Sequence, residues 1–190
     1  MSPGAGYPNI FASSSLFNMA RNIVLIGMPG AGKSTVGHLL AEELDCQVVD
    51  TDHLIEMKTG KSLQRIVDER GVLALKAIEE QVILELDCEA CVISTGGSAI
   101  YSEAGMTKLS RSGLVVYLEV GLNELIRRVG NMTTRGILRE PGQTLEDLYR
   151  QRTPLYQRYA HMTVSGDAGP SATALAVLRA VRSWSPLPTP

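Results

Sequence analysis

Eight consecutive residues, Gly27-Met-Pro-Gly-Ala-Gly-Lys-Ser34, spell G-x-x-x-x-G-K-S. Glycines in such a run let successive backbone N–H groups point into one concavity, from Gly30, Ala31 and Gly32 onward to Thr35. A helix starting at the end of the run adds its positive dipole end. Lys33 can reach the β- and γ-phosphates of a nucleoside triphosphate, and the Ser34 hydroxyl can ligate Mg²⁺. The run follows an apolar stretch and precedes an amphipathic one, the context this chemistry requires. A second Gly-Lys-Ser at Gly60–Ser62 has Ile55 where the first glycine would stand and follows no strand, so it reads as a turn.

Further along, Asp50-Thr-Asp52 closes a short apolar run. In extended chain, carboxylates at i and i+2 point the same way. One can hold a metal ion through water while the other accepts a hydroxyl proton. Asp52 also suits the N-cap of a helix over His53–Lys58, but the phosphate loop next door favours the functional reading. The glycines of Ile93-Ser-Thr-Gly-Gly-Ser98, Gly96 and Gly97, admit a ligand close to the backbone; a plain strand-to-helix turn explains them equally well. Arg127 and Arg128 end an amphipathic segment, Arg135 lies in the non-periodic stretch 131–143, and Arg152 opens Arg-Thr-Pro-Leu-Tyr156. Long interior loops of this kind are commonly lids. A guanidinium that closes over a phosphoryl group in flight stabilises the charge spread over its oxygens. Cys88 and Cys91 form a C-x-x-C, but where a helix ends rather than ahead of one. His38, His53 and His161 are too scattered to complete a zinc site, so the pair reads as two packed small residues.

The elements that must position these groups follow from periodicity. Apolar runs at Ile23–Ile26, Gln47–Val49, Cys91–Ser94, Leu114–Leu118 and Met162–Val164 read as strands. Helices are expected over Lys33–Leu44, Leu63–Glu69, Val72–Asp87, Glu103–Ser110, Leu122–Val129, Leu145–Tyr159 and Ser171–Trp184. Alternation of this kind implies an α/β fold with a parallel sheet covered on both faces and ligands at the carboxyl ends of its strands. The chain has 190 residues, with 18 Lys+Arg against 20 Asp+Glu. It therefore lacks the basic excess of a nucleic-acid binder. Aromatic residues at 5% leave few platforms for stacking bases. No apolar run approaches the roughly 20 residues needed to cross a bilayer. Three cysteines make no disulfide framework and fit a reducing, cytoplasmic setting. Residues 1–20 read as a flexible leader, 21–184 as one domain and 185–190 as a flexible, proline-rich tail.

Taken in order, GMPGAGKSTVG at Gly27–Gly37, DTDHLIE at Asp50–Glu56, STGG at Ser94–Gly97, VVYLEV at Val115–Val120 and RTPLY at Arg152–Tyr156 make the chain resemble the shikimate kinase family from about Arg21 to Arg182. The resemblance implies a P-loop NTPase-type three-layer α/β/α fold, similar to nucleoside monophosphate kinases, with a five-stranded parallel sheet of order 2-3-1-4-5. It also implies a substrate-binding insert over about 51–80, a lid near 131–143, and ATP- and Mg²⁺-dependent transfer to the 3-hydroxyl of shikimate, a step toward the aromatic amino acids. By matching position, Asp52 takes the proton and holds substrate hydroxyls, and Asp50 stands near Mg²⁺ beside Ser34. Arg152 clamps the substrate carboxylate, Gly96 and Gly97 offer N–H groups, Arg128 and Pro170 sandwich the adenine, and Arg135 closes with the lid. A monomer is expected.

Three residues depart from the family pattern. Lys76 stands for an arginine that helps bind the carboxylate, Ser98 for the third glycine of a Gly-Gly-Gly turn, and Gly136 for a lid proline. Lysine keeps the charge but loses the bidentate fork. The departures raise two alternatives: a sibling kinase for another hydroxylated acid, such as homoserine or a sugar acid, and a non-catalytic nucleotide-binding regulator.

Overall fold

Five strands, β1 (Asn22–Ile26), β2 (Gln47–Asp50), β3 (Cys91–Ser94), β4 (Gly113–Glu119) and β5 (Met162–Ser165), form one sheet in the computed structural model, which describes residues 21–130 and 142–184. All neighbouring strands are parallel and their order is β2-β3-β1-β4-β5, as the resemblance implies. Parallel strands covered on both faces read as unbroken apolar runs. Accordingly every residue of β1 and β3 is buried.

Among the described residues, seven helices flank or follow the strands: α1 (Lys33–Leu44), α2 (Thr51–Thr59), α3 (Leu63–Glu85), α4 (Glu103–Ser112), α5 (Leu122–Gly130), α6 (Leu145–Tyr159) and α7 (Pro170–Ser183). A 3-10 turn, Ala99–Tyr101, precedes α4. Helices cover both sides of the sheet. α1 and α7 pack on each other, while α3, α4 and the 3-10 turn group together, with α6 joining them at the turn. The main core gathers Val24, Leu25, Leu40, Ile83, Val116 and Val177 around the sheet. A smaller cluster of Ile55, Ile66, Leu75 and Val82 ties α2 to α3.

The strand expectations hold to within a residue at each end, and α1 and α6 match at both ends. The two helices expected over Leu63–Glu69 and Val72–Asp87 are the two parts of α3, separated at Gly71, whose φ of 81° and ψ of 168° break the helical path; the second part ends at Glu85. One start is corrected. α2 begins at Thr51 rather than His53, and its N-cap is Asp50, not Asp52. The last strand residue supplies the cap itself, so Asp52 lies inside the first helical turn and the extended-chain argument for the two carboxylates does not apply.

The register fixes the location of the site. Ser94 pairs with Leu25 on one side and with Asp50 on the other. The segments leaving β1, β2 and β3 therefore emerge together at the carboxyl edge of the sheet, where α/β folds bind ligands.

Candidate active site

The phosphate loop leaves β1 and enters α1 through Gly32, whose left-handed φ of 90° carries no penalty only in glycine. Lys33 is buried and curls back over the loop, donating from Nζ to Gly27 O at 2.9 Å and to Met28 O at 3.0 Å. Burial pulls its pKa down to about 8. The charges of Asp52, Asp50 and Glu79 act the other way, and Arg152 adds a further lowering. At neutral pH Lys33 is a cation held in a poorly solvated place by its own backbone and a set of acids. Ser34 Oγ donates to Asp50 Oδ2 at 2.7 Å. The other oxygen, Asp50 Oδ1, accepts from the N–H groups of Asp52 at 3.0 Å and His53 at 3.3 Å. A single carboxylate thus caps α2 and orients the serine.

On the far side of the loop, Gly30 packs against α5; a Cβ there would stand 2.8 Å from Val129 Cγ2. The same helix carries Arg128, whose Nε donates to Glu124 Oε1 at 2.7 Å and whose Nη2 donates to Gly166 O at 2.8 Å. Arg127 and Arg128 together hold the Glu124 carboxyl down to about 2. The segment that accepts from Arg128 leads into Pro170, the exposed first residue of α7. Arg135, Gly136 and most of the expected lid lie outside the described residues.

The turn after β3 is built around Gly96. A Cβ at that position would overlap Glu79 Oε1 and stand 2.6 Å from Asp52 Oδ1, so only glycine leaves both carboxylates in place. The Gly96 N–H is donated to Thr51 Oγ1 at 2.9 Å, which joins the turn after β3 to the start of α2. Next to it, a Cβ on Gly97 would come within 3.0 Å of Arg152 Nη1, and Gly97 O accepts from Tyr156 OH at 2.6 Å. Arg152 is buried on α6 and donates from Nε to Tyr101 OH at 3.3 Å. Lys76 Nζ lies over the same tyrosine, 4.4 Å from the ring centroid. Lys33, Asp50, Asp52, Gly96, Gly97, Arg128 and Arg152, each singled out in the sequence, thus border one region.

Glu79 is the member that sequence reasoning passed over. It is buried, takes a hydrogen bond from Ser98 Oγ on Oε2, and has no hydrogen-bond partner on Oε1 among the described residues. Burial pushes its pKa up to about 7; the Ser98 hydrogen bond opposes this, Asp52 adds to it, and Arg152 and Lys33 oppose it. The usable signal was its spacing. Glu79 follows Lys76 by three residues on a helix, so the two share a face. Because the folded pKa lies above the ordinary value of 4.5, the native state holds a proton that the unfolded chain has released. Stability of the ligand-free protein therefore falls as pH rises from about 4.5 to about 7, by an amount on the order of 3 kcal/mol from this group. Glu79→Gln is expected to flatten that part of the pH profile in urea melts. A variant profile parallel to wild type would refute the assignment.

A family model described as "Shikimate kinase" matches residues 29–182. The chain belongs to the shikimate kinase family. It is 39% identical over 159 residues to the shikimate kinase of Paracidovorax citrulli, covering 81% of this chain and 87% of that protein. It is 38% identical over 167 residues to that of Chromohalobacter salexigens, covering 86% and 93%. Among solved structures, the shikimate kinase of Acinetobacter baumannii in complex with shikimate superposes with a TM-score of 0.82 at 36% identity, covering 90% of this chain and 97% of that one. The enzyme from Bacteroides thetaiotaomicron gives 0.74 at 26% identity, covering 85% and 98%.

Shikimate kinases are ATP- and Mg²⁺-dependent phosphotransferases. The residues present fit both groups. The loop ends on a buried lysine and a helix start, a ready anion site, while the Ser34–Asp50 pair supplies the hard oxygen donors that Mg²⁺ takes. Nothing in the comparisons favours another acid or a non-catalytic binder. Within the described residues no helix is long and apolar enough to cross a membrane. At the opposite, amino edge of the sheet, burial and the neighbouring Cys91 thiol push the Cys88 thiol up to about 12, so it is no nucleophile at neutral pH.

Proposed function

We propose that this shikimate kinase phosphorylates the 3-hydroxyl of shikimate with roles divided among the residues above. Lys33 and the N–H groups of Gly30 to Thr35 hold the ATP phosphates, and Arg128 and Pro170 flank the adenine. Ser34 and Asp50 hold Mg²⁺, which neutralises charge on the phosphate oxygens. Asp52 binds the acceptor hydroxyls and takes the proton from the attacking one. Arg152 and Lys76 meet the acceptor carboxylate, beside the backbone of Gly96 and Gly97. Residues 51–80 form the acceptor-binding insert, and 131–143 with Arg135 form the lid. One observation carries this reading: a Cβ on Gly97 would stand 3.0 Å both from Arg152 Nη1 and from Pro29 Cδ of the phosphate loop, while one on Gly96 would stand 2.6 Å from Asp52 Oδ1. The phosphate loop and the groups read as meeting the acceptor thus adjoin one turn.

The experiment is turnover of ATP with shikimate and a panel of hydroxylated acids that includes homoserine and sugar acids. Shikimate is expected to give ADP with a kcat/KM at least about a hundredfold above any other acid, since a site built for polar groups rejects acceptors lacking them by large factors. ADP release with another acid but not with shikimate would sink the proposal.

A further inference from the structure

Two of the departures from the family pattern, Lys76 and Ser98, are engaged by the same short segment. Ser98 and Tyr101, three residues apart across the 3-10 turn, face Glu79 and Lys76, three residues apart on α3: Ser98 Oγ donates to Glu79 and the Tyr101 ring lies under the Lys76 ammonium. Tyr101 also meets the buried Arg152, whose Cζ is 5.4 Å from the ring centroid and whose Nε donates to the hydroxyl. One side chain, 38% exposed, touches both cations that face the acceptor.

On the reading that Lys76 and Arg152 bind the acceptor carboxylate, we propose that Tyr101 is the positioning residue that makes a lysine serviceable at that site. An ammonium is a point charge on a flexible four-carbon stem and lacks the preorganised fork of a guanidinium. The negative face of an aromatic ring attracts it without using any of its N–H donors. Lys76 is therefore confined to one location with its hydrogen-bonding capacity kept for a carboxylate, and less rotamer freedom is lost when substrate arrives. The hydroxyl does the corresponding work for Arg152 by occupying Nε, which orients the planar group.

The test uses the full chain with saturating ATP and varied shikimate. Tyr101→Leu is expected to raise KM for shikimate about tenfold, within the range of a desolvated cation–π contact, with kcat and KM for ATP changed by less than about twofold. Tyr101→Phe keeps the ring under Lys76 and loses only the hydroxyl, so its rise in KM is expected to stay near threefold, since the bond from the Arg152 guanidinium is long at 3.3 Å and falls at the weak end of the hydrogen-bond range. Lys76→Met raises KM by itself, and Tyr101→Leu added to it costs only the smaller, arginine-linked share. Should the leucine variant fail to fold in a thermal melt, Tyr101→Gln serves the same purpose. Equal effects of Tyr101→Leu in the Lys76 and Lys76→Met backgrounds, or a fall in kcat without a rise in KM, would overturn the positioning role while leaving the carboxylate reading intact. A silent Lys76→Met would overturn the carboxylate reading of Lys76 and this proposal with it.

Discussion

Lys33→Ala is expected to lower kcat by at least 10²–10³, the scale seen when one preorganised donor to developing charge is removed. Lys33, proposed to hold the phosphates, is also a side chain that folding places at a cost. Burial lowers its pKa to about 8, so the native state holds the lysine proton less firmly than the unfolded chain does. Between about 8 and 10.5 the unfolded chain keeps the lysine proton and the native state has lost it, so stability of the ligand-free enzyme rises with pH in that window. The alanine variant should lose this rise and should not be destabilised at pH 7 through the loss of charge. Dead enzyme without the alkaline rise is thus the expected pairing, measured by ADP release and by urea titration at pH 7 and pH 10. Turnover like that of wild type would sink the assignment of Lys33, whatever the melts show.

Such separation of function from stability also explains which parts of the site could be read from the chain. The phosphate loop is written in consecutive residues, because backbone N–H groups that converge on one anion must be neighbours. Its strand and helix follow from the apolar run of Ile23–Ile26 and the periodicity of Lys33–Leu44. Gly71 announces the break in α3 for a similarly local reason. Asp50 and Asp52 were legible as a pair but not in their roles. Whether the strand stops at Val49 or Asp50 decides which carboxylate caps α2, and strand ends are set by pairing with Ser94 on another strand. The acceptor site was the least legible. Glu79 meets Ser98, and Lys76 meets Tyr101, across long stretches of chain that only the packing of α3 against the turn after β3 brings together. The family resemblance marked Lys76 and Ser98 as departures without supplying their partners. Arg152 was legible as one of the candidate arginines, its carboxylate role came only with the resemblance, and its burial, unusual for an arginine, is a tertiary fact.

Asp52→Asn is the other change with a large expected effect, a fall in kcat of about 10² or more, the usual contribution of a positioned general base. The corrected start of α2 makes this experiment cleaner than the sequence suggested. Had Asp52 been the N-cap, its replacement would have removed about 1 kcal/mol of helix stability as well as a catalytic group. With Asp50 as the cap, accepting from the N–H groups of Asp52 and His53, the asparagine leaves the helix start untouched. The variant should therefore melt close to wild type. Its electrostatic signature lies elsewhere. Asp52 is the strongest of the charges that raise the Lys33 pKa, and it also raises that of Glu79. Without it, both pKa values fall: Lys33 gives up its proton at lower pH, and Glu79 ionises earlier. The alkaline limb of kcat/KM for ATP should move to lower pH in the variant, because that parameter reports the enzyme before nucleotide binds. A rise in KM for shikimate with kcat unchanged would make Asp52 a binding residue with no part in proton transfer. An unmoved alkaline limb would show that the Asp52 charge does not act on Lys33 and would refute the coupling between the two.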